Sequence, residues 1–258
     1  YDFRRSVGDY QVASDGERIY LLAEDEAHDR LYSVPAAGGE VREVGRLEAG
    51  SFPGLQVGGG ENDPVLVANW NSAVIPAEVT RIEAATGGRR ALSAFNAERA
   101  AAIDWQPVQD FWFTSKRGRR IHNLIALPPA FDPSKKYPLF VLIHGGPHGM
   151  YKDEFFVRWN YHLLAQPGYV VLMTNYSGST GYGERFAQAI QGDPLAGPAD
   201  EINQAADEAI RRYPFIDASR QAAGGASYGG HLANWLAVST TRYRALVSHA
   251  GLYDLKTQ

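Results

Sequence analysis

Ser227 lies in Gly224-Gly225-Ala226-Ser227-Tyr228-Gly229-Gly230, which carries Gly-x-Ser-x-Gly over residues 225–229. A serine hydroxyl is a weak nucleophile until a base takes its proton. In this spacing the serine belongs on a sharp turn between a strand and a helix. Glycine is needed on either side because a Cβ there would meet crowded backbone. The chemistry such a turn permits is acyl transfer, in which the serine attacks a carbonyl and an oxyanion forms. A Gly-rich loop with an incidental serine matches the same pattern, so the surrounding elements decide.

Those elements read as alternating strands and helices. Gln221–Ala226 is the strand entering the turn, poor by propensity because alanine and glycine replace β-branched residues. Leu139–Ile143 and Tyr169–Met173 are continuous apolar runs, as strands buried on both faces should be. Helices are expected over Phe155–Gln166, over Asp200–Arg212 with Asp200 as cap, and over His231–Ser239. Two strands, Asp110–Thr114 and Ile121–Leu127, precede them around a turn at Gly118, and Ala245–Ser248 is a last strand. This order implies a parallel sheet with helices on both faces, whose reactive groups sit at the carboxyl ends of the strands. Three Gly-rich stretches fall there: His144-Gly145-Gly146-Pro147, Asn175–Gly183, and the serine turn.

An oxyanion needs donors already aimed at it, and losing one costs about 100- to 1000-fold in rate. In this architecture one donor is the backbone N–H of the residue after the nucleophile, here Tyr228. The second comes from the loop after the earlier strand, here Gly145 or Gly146. A base is harder to find. Only 31 residues follow Ser227, with His231, His249 and Asp254 among them. The usual order on this scaffold is serine, acid, histidine. His231 is one helical turn past the serine, and His249 precedes Asp254, so both read as structural and the acid and base are expected beyond Gln258. His144 and His148 are four apart, but Gly-Gly-Pro between them excludes the helix that would make a metal pair, and no metal is expected.

Residues 1–106 read as short strands between Gly and Asp clusters. Val65–Ala68 repeats Ile19–Leu22, Val79–Ile82 repeats Leu31–Val34, and Gly87-Gly88 repeats Gly38-Gly39. The period is close to the roughly 40–50 residues of a propeller blade. Two blades cannot close a ring, so further blades are expected before residue 1. A small β-sandwich is the competing arrangement. His28, in a charged turn, reads as a solvated loop residue, and Lys116–Arg120 as a solvated hairpin turn.

Composition sets the outer limits. With 45% hydrophobic and 21% charged residues the 258-residue chain can build a packed core. A net charge of −4 argues against a nucleic-acid surface. The absence of cysteine removes disulfides and thiolate-bound metals. No apolar run approaches the roughly 18 residues of a membrane span. No targeting segment is visible and the chain begins at Tyr1, leaving a periplasmic or a cytoplasmic location open.

With these residues in place the chain resembles the prolyl oligopeptidase family of serine peptidases, on its acylaminoacyl-peptidase and dipeptidyl-peptidase branch. The carriers are His144-Gly145-Gly146-Pro147-His148, Asn175–Gly183, Gly192-Asp193 and Gly225–Gly230. The resemblance implies an α/β-hydrolase catalytic domain, its N-terminal part at 107–258, preceded at 1–106 by the C-terminal blades of a β-propeller. It implies Ser227 as nucleophile, Tyr228 and Gly146 N–H groups as oxyanion hole, short peptides as substrates, and no cofactor. Members of the family often dimerise, so a homo-oligomer is allowed for. Three departures stand out. The family usually has arginine where Ser177 stands, so any ion pair there is lost or replaced. His231 takes a place more often held by tyrosine, and Asp193–Gly197 lacks the usual tryptophan. A serine esterase or amidase on the same scaffold, and a non-catalytic binding module, are the alternative readings.

Overall fold

The computed structural model describes residues 3–45, 47–60 and 63–254. It divides into two units. One comprises Tyr1–Trp105 with Lys152–Val157 and Gly181–Glu184; the other comprises Gln106–Tyr151, Arg158–Thr180 and Arg185–Gln258.

The first unit is built on two antiparallel sheets of four strands. The first sheet contains β1 (Ser6–Val12), β2 (Arg18–Asp25), β3 (His28–Pro35) and β4 (Arg42–Glu43), in that order. The second contains β5 (Leu55–Gly60), β6 (Asp63–Ser72), β7 (Ile75–Glu83) and β8 (Arg89–Ala91), again in order, with helix α1 (Ala97–Ala101) after it. The sequence repeat thus falls on the second and third strands of each sheet. Tyr20 and Leu22 on β2, Leu31 on β3, Leu66 and Ala68 on β6 and Ile82 on β7 share one core. The two-residue spacing on β2 and β6 puts each pair on one face.

Lys152–Val157 belongs to this unit although the sequence pattern places its second half, from Phe155, at the start of a helix. The reason is a set of long-range polar bonds. The Asp153 carboxylate accepts the N–H of Gly50 (2.6 Å) and of Ala73 (2.7 Å). Its own N–H donates to Ala27 O (2.9 Å), and its carbonyl accepts the Ser51 hydroxyl (3.2 Å). Phe155 N–H donates to Asn71 Oδ1, and its ring meets Trp105 edge-on at 5.2 Å. These partners outcompete helical bonding, and α2 is confined to Tyr161–Ala165, capped by the Asn160 side chain. His28 is likewise not a free loop residue: it opens β3, and Nδ1 lies 2.8 Å from Gly50 O. Asp153→Ala strips two backbone donors of a charged acceptor and should cost roughly 3 kcal/mol. Asp153→Asn, which keeps one acceptor oxygen, should cost less; denaturant unfolding followed by tryptophan fluorescence compares them.

The second unit carries a six-stranded sheet in the order β14-β13-β11-β12-β10-β9. It begins with the hairpin β9 (Gln109–Thr114) and β10 (Arg120–Ala126), then β11 (Tyr137–Ile143) and β12 (Val170–Asn175). After α3 (Glu184–Ala187) come α4 (Ala196–Arg212), β13 (Ile216–Ala226), α5 (Tyr228–Ser239) and β14 (Ala245–His249). The sheet is mixed rather than wholly parallel: β12, β11, β13 and β14 run parallel, while β10 pairs antiparallel with both β12 and β9. Leu139, Val141, Val170 and Leu172 are fully buried in it, with Ile202, Ala205, Ala206 and Ala209 of α4 and Leu232 of α5 in the same core. α4 starts four residues before Asp200. Asp193, not Asp200, supplies the acceptor, taking the Gly197 N–H at 3.0 Å. The basic turn before β10 is not merely solvated either, because Arg117 bonds the other Asp193 oxygen (2.5 Å).

Candidate active site

β13 ends at Ala226 and α5 begins at Tyr228, so Ser227 is the single residue that turns the chain. Its φ of +56° and ψ of −122° lie where a side chain costs about 1–3 kcal/mol. Serine before a helix ordinarily caps it; here the hydroxyl makes no cap bond and the residue is exposed. The two pattern glycines explain how so tight a turn fits. A Cβ on Gly225 would stand 2.4 Å from Ile143 O, and one on Gly229 2.3 Å from the same oxygen. Strand register agrees, pairing Ile143 of β11 with Gly225 of β13. The turn therefore closes onto the last carbonyl of β11.

The loop leaving β11 passes beside the serine. A Cβ on Gly145 would lie 3.0 Å from Ala226 O and 3.5 Å from Ser227 Cβ. Gly146 has φ +118°, and a Cβ there would approach His148 N to 2.6 Å. Tyr228 is buried, its hydroxyl donating to Pro194 O. As the first residue of α5 it has a backbone N–H with no carbonyl of its own helix to bond. Ser227, Tyr228 and the Gly145-Gly146 loop are thus gathered at the carboxyl ends of β11 and β13. The other histidines have the following contacts. His231 Nδ1 is 2.5 Å from Leu252 O. The exposed His249 ring meets Trp159 edge-on at 5.2 Å, while its carbonyl accepts the Ser227 N–H at 3.0 Å. His148 Nε2 lies 3.3 Å from Ala187 O and His144 Nε2 2.9 Å from Ser179 Oγ, so the two rings serve different partners. Among the described residues no group of three His, Asp or Glu is arranged to hold a metal.

Two features around the site have no local signal in the sequence. Ser177 sits where the resemblance implies an arginine, and an ion pair is present there, supplied by Arg119 from the turn before β10. Arg119 Nη1 is 3.1 Å from Ser177 Oγ and 3.6 Å from the fully buried Glu201. Glu201 in turn accepts the Ser177 N–H and O–H, both at 2.8 Å. The second feature is His144. Its ring stacks on Tyr176 at 4.2 Å, and burial pushes its pKa down to about 4. An unfolded histidine titrates near 6.5, so the unfolded chain binds the proton first on acidification. Stability from the neutral ring is complete above about pH 6.5 and is lost as pH falls towards 4. In His144→Phe that part of the stability–pH slope should vanish, as denaturant titrations between pH 4 and 7 would reveal.

Residues 155–258 match the model of the prolyl oligopeptidase family. A dipeptidyl-peptidase 5 from Porphyromonas gingivalis is 30% identical over 259 residues, which are 99% of this chain and 37% of that protein. The dipeptidyl-peptidase 5 of Schizosaccharomyces pombe is 39% identical over 148 residues, 57% of this chain and 22% of its own length. Among solved structures, an acylaminoacyl peptidase bound to Z-Gly-Gly-Phe-chloromethyl ketone superposes with a TM-score of 0.85 at 26% identity, covering 97% of this chain and 38% of that one. The Pyrococcus horikoshii acylaminoacyl peptidase gives 0.84 at 25% identity, with the same coverage. The chain spans little more than a third of the length of the full-coverage relatives.

Proposed function

The chain belongs to the prolyl oligopeptidase family, and on that premise we propose that it carries the nucleophile of a serine peptidase acting on short peptides, of dipeptidyl- or acylaminoacyl-peptidase type. Ser227 Oγ attacks the scissile carbonyl as a base takes its proton. The N–H groups of Tyr228 and Gly146 receive the negative charge that develops on the carbonyl oxygen. Collapse expels the amine, which leaves with that proton, and water then releases the acyl group from Ser227. The base and acid come from sequence C-terminal to residue 258, since His231 Nδ1 is bonded to Leu252 O and His249 precedes Asp254, against the order serine, acid, histidine. The two four-stranded sheets of residues 1–106 are blades of a β-propeller, and residues 107–258 are the N-terminal part of an α/β-hydrolase catalytic domain.

The observation that carries this reading is the exposed Ser227 held at φ +56° beside Gly145. The strain has no structural return, since the hydroxyl caps nothing, and strained backbone of this kind collects at reactive groups. The test is labelling of the full-length protein with a fluorophosphonate, followed by mass mapping. A single adduct on Ser227, absent from Ser227→Ala, is expected. Full-length protein that stays unlabelled overturns the reading. A panel of dipeptidyl anilides, acylated-residue anilides and simple esters adds the substrate class; turnover of esters with none of the peptides would overturn the peptidase assignment.

A further inference from the structure

Two asparagine amides beside one cavity are each half used. Asn71, on β6, is only 4% exposed. Its main chain is fixed by reciprocal bonds with Ser51, at 2.8 and 3.1 Å. Its Oδ1 accepts the Phe155 N–H. A backbone N–H can bond only the oxygen of an amide, so Nδ2 faces the other way. Among the described residues nothing accepts from it. Buried polar groups are otherwise paired, and an exception calls for a partner. Asn96 precedes α1, where an asparagine oxygen ordinarily caps the helix. No such bond forms here. Nδ2 donates to Ala77 O at 3.4 Å, which leaves Oδ1 with no donor among the described residues.

Both side chains line a cavity of about 580 Å³ in the first unit. Its walls are mostly apolar and include Pro53, Pro76, Ile103, Trp105 and Phe155, the last two meeting edge-on at 5.2 Å. Ile103 and Val157 on the lining are 52% and 82% exposed, so apolar surface is left facing water. Sites for small organic ligands have this make-up: concave, roughly 300–1000 Å³, mainly apolar, with a few placed polar groups.

Charge narrows the choice. Arg99 lines the cavity, is exposed, and makes no ion pair among the described residues. The acid on the wall, Glu154, has Lys152 Nζ 3.6 Å from Oε2, although that ammonium also meets Asp29 at 2.7 Å. Burial raises the Glu154 pKa, so its opposition to an anion is weakened twice over. A cation, an amide donor and an amide acceptor in an apolar cavity are the complement of a peptide's last residue. The C=O and N–H of its one trans amide point in opposite directions, so Asn71 and Asn96 can take its two edges. A fatty acid would match the cation and the walls but would give Asn96 Oδ1 no donor.

We propose that this cavity binds the carboxyl end of an apolar peptide. The terminal carboxylate lies at Arg99, the last amide offers its N–H to Asn96 Oδ1 and its C=O to Asn71 Nδ2, and the last side chain packs on Trp105 and Phe155. The site shares no residue with the serine turn and does not depend on Ser227 being the nucleophile.

The test is titration calorimetry on the full-length Ser227→Ala protein, in which catalysis by Ser227 is removed. The probe is N-acetyl-Ala-Leu, with N-acetyl-Ala-Leu amide and decanoate for comparison. The acid should bind with a Kd below about 1 mM, and the amide about tenfold more weakly. Adding Arg99→Gln should weaken the acid about tenfold and leave the amide unchanged. Arg99→Lys, which keeps the charge but not the fork, should stay within about threefold of the parent. Asn71→Asp keeps an acceptor for Phe155 and loses the donor, and should weaken both peptides about tenfold. No binding up to about 1 mM peptide, equal affinity for acid and amide, or parental affinity in Arg99→Gln would each overturn the inference. Decanoate bound in preference to the peptide would make the occupant a fatty acid and overturn it too. Arg99 is exposed, so its variants carry the test should Asn71→Asp not fold.

Discussion

Ser227→Ala should lower kcat of the full-length protein on the order of 10⁵- to 10⁶-fold while leaving KM nearly unchanged. The expectation follows from the division of labour at the turn. The oxyanion donors are backbone N–H groups, which the substitution does not touch, so substrate should still bind and a small residual rate should survive. Ser227→Gly should be equally inactive, but the two variants should differ in stability. Alanine keeps a Cβ at φ +56° and ψ −122° and inherits the strain of about 1–3 kcal/mol. Glycine escapes it, at about 0.5–1 kcal/mol of extra unfolded-state entropy. Relief of strain outweighs that entropy, so Ser227→Gly should be more stable than Ser227→Ala by about 1 kcal/mol. Equal unfolding midpoints would mean that the turn relaxes once the hydroxyl is gone.

Gly229→Ala should be the most disruptive single methyl at the site. Its Cβ would stand 2.3 Å from Ile143 O and 2.9 Å from His144 O. Both are backbone oxygens, with no flexible side chain to move aside. Shifting Ile143 would break its pairing with Gly225 and displace the loop that carries Gly146. We expect a loss of about 3–5 kcal/mol and a fall in melting temperature of roughly 10 °C or more. Gly192→Ala is the matched control. Unlike the helical Gly229 it has a positive φ, +79°, and nothing lies within 4 Å of the added methyl, so only the conformational penalty of about 1–2 kcal/mol applies. Similar losses in the two variants would refute the steric account.

The serine turn is legible in the sequence because its requirements are local. Glycines at 225 and 229 answer to the geometry of the turn itself, and the apolar runs at 139–143 and 169–173 announce buried strands wherever they lie. The departures share a different cause. Phe155 and Trp159 have helical spacing, yet Asp153 and Phe155 are claimed by Gly50, Ala73 and Asn71, residues 80 or more positions away. Asp200 looks like a helix cap, but Asp193 reaches the Gly197 N–H first. Arg119 reads as one charge in a basic turn, and only the tertiary fold brings it to Ser177 and Glu201. Along the chain His144 stands out only for its spacing to His148; its contacts with Tyr176 and Ser179 lie 32 and 35 residues further on. Periodicity carries no record of such partners.

The bonds to Asp153 also set an order of events during synthesis. The Gly50 and Ala73 N–H groups lie in the first 105 residues, but the carboxylate that accepts them is 48 residues further on than Trp105. At about 5–20 residues per second a ribosome needs roughly 2–10 s to cross that interval. Throughout it Gly50 and Ala73 lack the aspartate that joins their turns. The unit therefore cannot finish folding as it emerges; it waits for β9, β10 and β11 to be made. A nascent chain stalled before residue 153 should be cut readily by protease around Gly50 and Ala73, and one stalled some 40 residues after Val157 should resist.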